Sequence, residues 1–327
     1  MKIICPNLKN KEVQQQFNEL VSAVGETAAY HIWSQNDGNA IDRAPNGAPS
    51  KLFTDLLEHF NGDRVLAIQA KAKVFSKSFK TWFEGSKVVD ENGEPLLVWH
   101  GSSVNYITEF SESSFFTENK KVATEYGLKF LYPGQAPSIY PVFLSIKNPH
   151  IYDAERRSYK NINGGTFITF DDFLNQHPEY EKEDWYWRYQ TYSEPEEYNI
   201  PEEVLKEYAM LSTSKTARTY TRDILGKEND GVIITNLIDP ASGKEIGDIM
   251  NDYVPVYPNQ IKSAVGNTGK FSTENPNIYA STGSLSNNES KITYSSAIDK
   301  SIDGVANNTS DDSLRTRLMS GKNTATV

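Results

Sequence analysis

The sequence holds one cysteine, Cys5, among 327 residues, and its five histidines are scattered, so neither an internal disulfide nor a Cys/His zinc cluster can be assembled. No apolar run approaches the ~20 residues that a membrane-spanning helix needs. The opening MKIICPNLKNKE is too polar for a secretory signal, which makes the cytoplasm the expected compartment. Cations are also in deficit: 33 Lys and Arg against 43 Asp and Glu leave a formal net charge of -10. A partner held chiefly through phosphates needs clustered Lys and Arg to release counterions, so nucleic acid is excluded as a primary ligand. No glycine-rich phosphate loop follows a strand-like run, and Gly321-Lys322-Asn323-Thr324 lacks the rest of one.

A hydrophobic share of 38%, with 12% aromatic, is enough to build a core. The mean hydropathy of -0.57 keeps much of the chain in water. The length exceeds that of one minimal catalytic domain and predicts a central domain with additions at its ends. Residues 1–78 read as a helical N-terminal region: VQQQFNELVSAV, SKLFTDLLEHF and DRVLAIQAKAKVF repeat apolar residues at three and four, with Ser50 and Asp63 placed as N-caps. His31 and His59 sit among apolar neighbours and read as packed or surface histidines rather than ligands.

From Lys87 the period changes to two. KVVDENGEPLLVW predicts a hairpin around DENG, and YPVFLSI, GVIIT and YVPVY predict further strands. NKKVATEYG and PEEVLKEYAML predict helices between them. The irregular alternation favours an α+β domain over a doubly wound sheet. Residues 179–202 are acidic and aromatic, with Trp185, Tyr189 and Tyr192 at helical spacing, and fit either a packed amphipathic insertion or a partner-recognition surface. Residues 279–327 are rich in Ser, Thr, Asn and Asp and are expected to form a disordered polar tail.

Three stretches carry candidate chemistry. In LLVWHGS, strand alternation puts Leu96, Val98 and His100 on one face, and Gly101, lacking a Cβ, lets its backbone approach a planar amide. In SSFFTENKKVATEYG, Phe115 and Phe116 end an extended run, Thr117 is placed to cap a helix, and Tyr126 lies eleven residues after Phe115. Two such rings can face each other across a slot for a flat, partly cationic ring; equally, they can pack the core. In NDYVPVYPNQIK, Asp252 precedes a strand that Pro255 marks as interrupted or at an edge, with Gln260 and Lys262 following.

In this order the three stretches resemble the diphtheria-toxin and poly(ADP-ribose) polymerase branch of the ADP-ribosyltransferase fold. That branch reads His-Gly-Ser/Thr, an aromatic segment with a tyrosine eleven residues on, and a glutamate opening a strand that ends near a glutamine. Phe115 stands where the branch usually has tyrosine, and Asp252 where it has glutamate. FKTWFEGSKVVDENGEPLLVWHGS, YPVFLSIKNP, NDGVIITN and PNQIKSAVGNTGKFSTENPNI resemble more closely the ADP-ribosyltransferase-like domain of large polyvalent proteins of bacteriophages and conjugative elements. The likeness covers residues 79–278, and the N-terminal helices resemble the leader that often precedes this domain.

The resemblance implies a split mixed or antiparallel β core with helices. It also implies NAD as co-substrate without a metal, and release of nicotinamide as ADP-ribose passes to a protein acceptor of a bacterial host, as a mobile-element or phage effector acting in the host cytoplasm. The implied NAD-binding set is His100 on the adenosine-side ribose, Gly101 and Ser102 at the nicotinamide amide, and Phe115, Thr117 and Tyr126 around the nicotinamide ring. The implied catalytic set is Asp252, His100 and Gln260, with Asp252 stabilising the oxocarbenium-like charge that builds as the nicotinamide–ribose bond breaks. Neither Ala123 nor Thr124 supplies the serine that contacts the amide in the polymerases. A degenerate module that binds NAD, ADP-ribose or a host protein without turnover is the alternative, and a structural spacer is a third reading.

Overall fold

The computed structural model describes residues 4–104, 106–111, 114–129, 131, 137–156, 170–192, 197–211, 229–239 and 248–279. Residues 280–327, where the polar tail is expected, lie outside them. The chain divides into two compact units. One contains residues 4–97, 141–145 and 261–279, and the other residues 98–140 and 146–260, within the described ranges.

In the first unit, helix α1 (Lys11–Val24) starts where the Asn10 side chain accepts from the Glu12 and Val13 N–H groups. It buries Phe17, Leu20 and Val24, the residues of its apolar stripe. Gly25, at φ 83°, ends it and admits α2 (Glu26–Gln35), which buries Ala28, Ala29, Ile32 and Trp33. Helices α3 (Lys51–His59) and α4 (Arg64–Ala72) begin at the predicted caps, with Ser50 Oγ accepting from Phe53 N and Asp63 from Leu66 N. A 3-10 turn at Lys73–Phe75 leads into α5 (Lys77–Phe83). On α5 the Phe79 ring packs on those of Trp82, Phe83, Phe143 and Phe271.

The DENG segment does turn the chain back, with one bridge between Val89 and Pro95 rather than a full hairpin ladder. Its Glu94 is buried against Lys71 of α4, Nζ to Oε1 2.7 Å, and Lys71 also donates to Ser50 Oγ and the Arg43 carbonyl. The polar core of this unit is thus a desolvated ion pair with its extra donors satisfied.

The second unit holds most of the sheet and the remaining helices. Strands β1 (Val98–Ser102), β2 (Phe116–Thr117), β3 (Ser138–Leu144), β4 (Pro149–Asp153), β5 (Gly231–Ile238), β6 (Ile249–Pro255) and β7 (Ile261–Ser263) lie in the order β4-β5-β6-β2-β1-β3-β7. The sheet is mixed, because β4 and β5 are parallel while β5/β6, β6/β2 and β2/β1 are antiparallel. Residues 142–144 of β3, within the first unit, pair with β7. With the helices before it, this is an α+β fold. YVPVY is not a short edge strand: β6 starts at Ile249, lies between β5 and β2, and ends at Pro255, where the missing N–H costs the ladder nothing further.

Helix α6 (Lys120–Lys129) packs on β1. Its cap is Asn119, whose Oδ1 accepts from Lys121 N and Val122 N, while Thr117 belongs to β2. Helices α7 (Phe170–Gln176), α8 (Asp184–Thr191) and α9 (Glu202–Leu211) enclose a cluster of Phe170, Phe173, Trp185, Val204, Leu205 and Tyr208. The acidic aromatic segment is therefore packed through Trp185, while Trp187 and Tyr192 stay exposed. Among the described residues no helix is long and apolar enough to cross a membrane.

Candidate active site

Every candidate site residue lies in the second unit. Register decides which of them meet. Trp99 of β1 pairs with Thr117 of β2, and Thr117 pairs with Asp252 of β6. Cross-strand partners point to one face, so Trp99, Thr117 and Asp252 share the side on which α6 packs. Phe116 pairs with Tyr253, and alternation sends His100 to their side, the opposite one.

On the α6 side, Asp252 is 3% exposed and Asp239, just after β5, is 4% exposed. The Tyr126 hydroxyl donates to Asp239 Oδ1 at 2.8 Å, and the Asp252 carboxyl is near enough to act electrostatically on both. Burial pushes the Asp239 carboxyl up to about 6, against the hydrogen bonds from Tyr126 and Asp252 and the nearby Lys129, with Glu125 adding to the rise. Burial, then the Asp239 and Asp252 carboxyls, raise the Tyr126 hydroxyl far above its ordinary range, so it remains a proton donor at any working pH. Its ring packs on Val122 and Met250. Lys129 Nζ stands 5.9 Å from the ring centroid.

On the other side, the His100 ring lies 4.9 Å from Phe110, 5.5 Å from Phe116 and 6.5 Å from Tyr140, centroid to centroid. Its Nδ1 meets the Phe115 carbonyl at 2.8 Å. A carbonyl only accepts, so Nδ1 carries the proton, and the neutral imidazole presents Nε2 as an acceptor. Burial lowers the His100 pKa, opposed by that hydrogen bond, which favours this neutral form. Part of the residue's surface is still open. The chemistry available at His100 is acceptance of one hydroxyl hydrogen bond.

Gly101 faces the α6 side, as Trp99 does. A Cβ there would fall 1.6 Å from the Ala123 carbonyl oxygen and 2.8 Å from Gly127 N, so the missing side chain lets α6 press against β1. Ser102 Oγ accepts from Val104 N at 3.0 Å and closes the turn after β1. Thr117 Oγ1 donates to Met250 Sδ at 3.3 Å.

The remaining candidates stand apart. Phe115 packs with Ala154, Ile234 and Leu237, a cluster separate from that of Tyr126. Gln260 accepts from Tyr257 N and donates to the Asp230 carbonyl, and so closes the 3-10 turn Pro258–Gln260. Asp252 pairs with Ile234, four residues up β5 from Asp230, roughly 13 Å along the strand. Sequence reasoning passed over Asp239, because an aspartate before Pro240 in LIDPASG reads as a turn residue. Only the contact with Tyr126, 113 positions away, reveals it.

Comparison with known proteins gives one finding. A family model described as ADP-ribosyltransferase in polyvalent proteins matches residues 90–271, more than half of the chain and all of β1 to β7. No curated protein and no solved structure matches.

Proposed function

The chain belongs to the ADP-ribosyltransferases of polyvalent proteins, and from that membership we propose that it splits the nicotinamide–ribose bond of NAD and passes ADP-ribose to a protein acceptor. The observation that carries the reading is Asp252, a carboxylate buried on a central strand beside a tethered tyrosine. As the bond to nicotinamide lengthens, positive charge grows on the anomeric carbon and ring oxygen. A carboxylate that accepts from the adjacent 2′-hydroxyl stabilises this charge most when it is greatest, which lowers the barrier rather than only improving binding. Asp252 takes that role, and the Tyr126 ring flanks the nicotinamide.

His100 contributes from across the strand. Its Nε2 accepts from a hydroxyl of the adenosine-side ribose, so the dinucleotide crosses the end of β1 at Gly101 and Ser102. An acceptor side chain attacks the face of the ribose opposite the departing nicotinamide, and water in its place gives hydrolysis. The acceptor is a bacterial host protein in the host cytoplasm, reached as part of a mobile-element or phage programme. The test is incubation of the protein with labelled NAD and a bacterial lysate, read by mass spectrometry. ADP-ribose on a discrete protein supports the reading, and neither modification nor nicotinamide release overturns it.

One observation favours a second reading, in which NAD binds without turnover. Asp252 is one methylene shorter than the glutamate expected at its place, and it lies near another buried carboxyl. Saturable NAD binding with no nicotinamide released on the same sample would select that reading.

A further inference from the structure

The net charge of the chain is concentrated in one stretch. Residues 170–211, which contain α7, α8 and α9, hold twelve Asp and Glu against three Lys and Arg, a net of -9 out of the chain's -10. The other 285 residues are almost neutral. Every described Asp and Glu in the stretch is exposed.

Helix α8 sorts its aromatic residues by face. Trp185 and Tyr189, four apart, turn inward: Trp185 is buried in the cluster and Tyr189 packs edge-on against Phe170. Trp187, two positions from each, points the other way and is 60% exposed. Its ring is nevertheless held, because Nε1 donates to the Glu181 carbonyl at 3.0 Å and Tyr186 meets it edge-on at 5.5 Å. Asp184 lies one turn before it on the same side, with Glu181 and Glu183 just upstream, and the half-exposed Tyr192 follows the helix. An exposed tryptophan that loses little freedom on docking is the kind of anchor that dominates an interface.

We propose that this face of α8 docks a basic, partly apolar segment of a partner protein, with Trp187 as the anchor and the surrounding carboxylates selecting Lys and Arg; resting on the transferase reading, that partner is the acceptor of ADP-ribose. The charge argues for this occupant. Long cationic side chains cover an indole with their methylene stems and place their charge over its face or beside the carboxylates. Anionic surfaces are repelled. A second copy of the chain brings the same acidic face, and its near-neutral remainder has no matching excess of cations.

Fluorescence anisotropy of a labelled synthetic peptide of Lys, Arg and Leu, titrated with the full chain, tests the surface without turnover. Wild type should bind it, more weakly as salt rises, and should not bind the peptide in which Glu replaces Lys and Arg. Trp187→Ala should weaken binding about tenfold or more, and Trp187→Tyr by about threefold at most. Glu181→Gln, Glu183→Gln and Asp184→Asn combined should weaken it about tenfold as well. The same loss of charge in the first unit, Glu58→Gln with Glu84→Gln and Glu91→Gln, all exposed, should change it by less than about twofold. Because Trp187 is exposed, Trp187→Ala should keep the wild-type thermal midpoint.

Equal losses from the two charge sets, or binding indifferent to Trp187→Ala, would reduce the effect to general attraction between a polyanion and a polycation and overturn the docking face. So would self-association of wild type in place of peptide binding, which would give the face to a second copy. For the acceptor, ADP-ribose labelling of a lysate protein should fall in Trp187→Ala while nicotinamide release without acceptor stays at the wild-type rate. Unchanged labelling would overturn the identity of the docked partner with the acceptor. Peptide binding as expected in a wild type that releases no nicotinamide would instead refute the transferase reading and leave the docking face standing.

Discussion

Gly101→Ala puts the packing of the site under direct strain. The added methyl would stand 1.6 Å from the Ala123 carbonyl oxygen, 2.6 Å from its carbon and 2.8 Å from Gly127 N. All three are backbone atoms, so no side chain can swing aside. An ordinary contact needs roughly 3.4 Å, which means that α6 must move off β1 by about 2 Å or that β1 must twist. Overpacking of this kind costs about 1–3 kcal/mol where neighbours can give, and these cannot, so the upper end or more is expected. Urea denaturation of the full chain, followed by tryptophan fluorescence, measures it. The variant should lose about 3 kcal/mol, and nicotinamide release should fall further than stability explains, because α6 carries Tyr126 and β1 carries His100. A variant as stable and active as wild type would show that α6 does not press on Gly101, and the account of how the site is assembled would fail with it.

Asp239 gives a pH-dependent stability whose sign follows from its raised pKa. The folded value of about 6 lies above the ordinary 3.8, so stability is fullest below the lower value and is lost as pH rises through the higher one. At about 1.4 kcal/mol for each unit, the loss is about 3 kcal/mol between roughly pH 4 and pH 7. Thermal unfolding across that window should show it in wild type and not in Asp239→Asn; parallel curves would refute it. In the first unit, Lys71→Met removes the partner of buried Glu94 and should cost about 3–5 kcal/mol in chemical denaturation, because an uncompensated charge stays behind. A loss below about 1 kcal/mol would mean that water reaches Glu94.

The helices that announced themselves did so through two agreeing signals. In α3 and α4 the apolar spacing and the capping residues Ser50 and Asp63 point to the same start, and the structure begins both helices there. Helix α2 gave no such agreement, since its cap is Gly25 with no side-chain bond and its buried face mixes Ala28, Ala29 and Ser34 with Ile32 and Trp33. Strand β2 is two residues long, and what makes Phe116 and Thr117 a strand is their pairing with Tyr253 and Asp252, more than 130 positions on. Nothing local encodes that.

At the site, alternation along LLVWHGS separated His100 from Trp99 and Gly101 correctly. Only the register of β1, β2 and β6 shows that Asp252 shares the face of Trp99 and Thr117 and not that of His100. Glycine at position 101 invites two explanations, an open approach for a ligand or a close approach for a helix, and the helix is what occupies the space. Gln260 looked like a spare polar group near the carboxylate, but its amide is committed to backbone atoms at 230 and 257. Asp239 was invisible for the opposite reason: a buried acid without local pattern acquires meaning only from Tyr126 and Asp252.

The most direct measurement is nicotinamide release from NAD by wild type and Asp252→Asn, with NAD binding measured on the same preparations. The account predicts release by wild type, a loss of about 10²-fold or more in kcat for the variant, and little change in NAD affinity. Equal rates in the two proteins, or binding by both with release by neither, would contradict it.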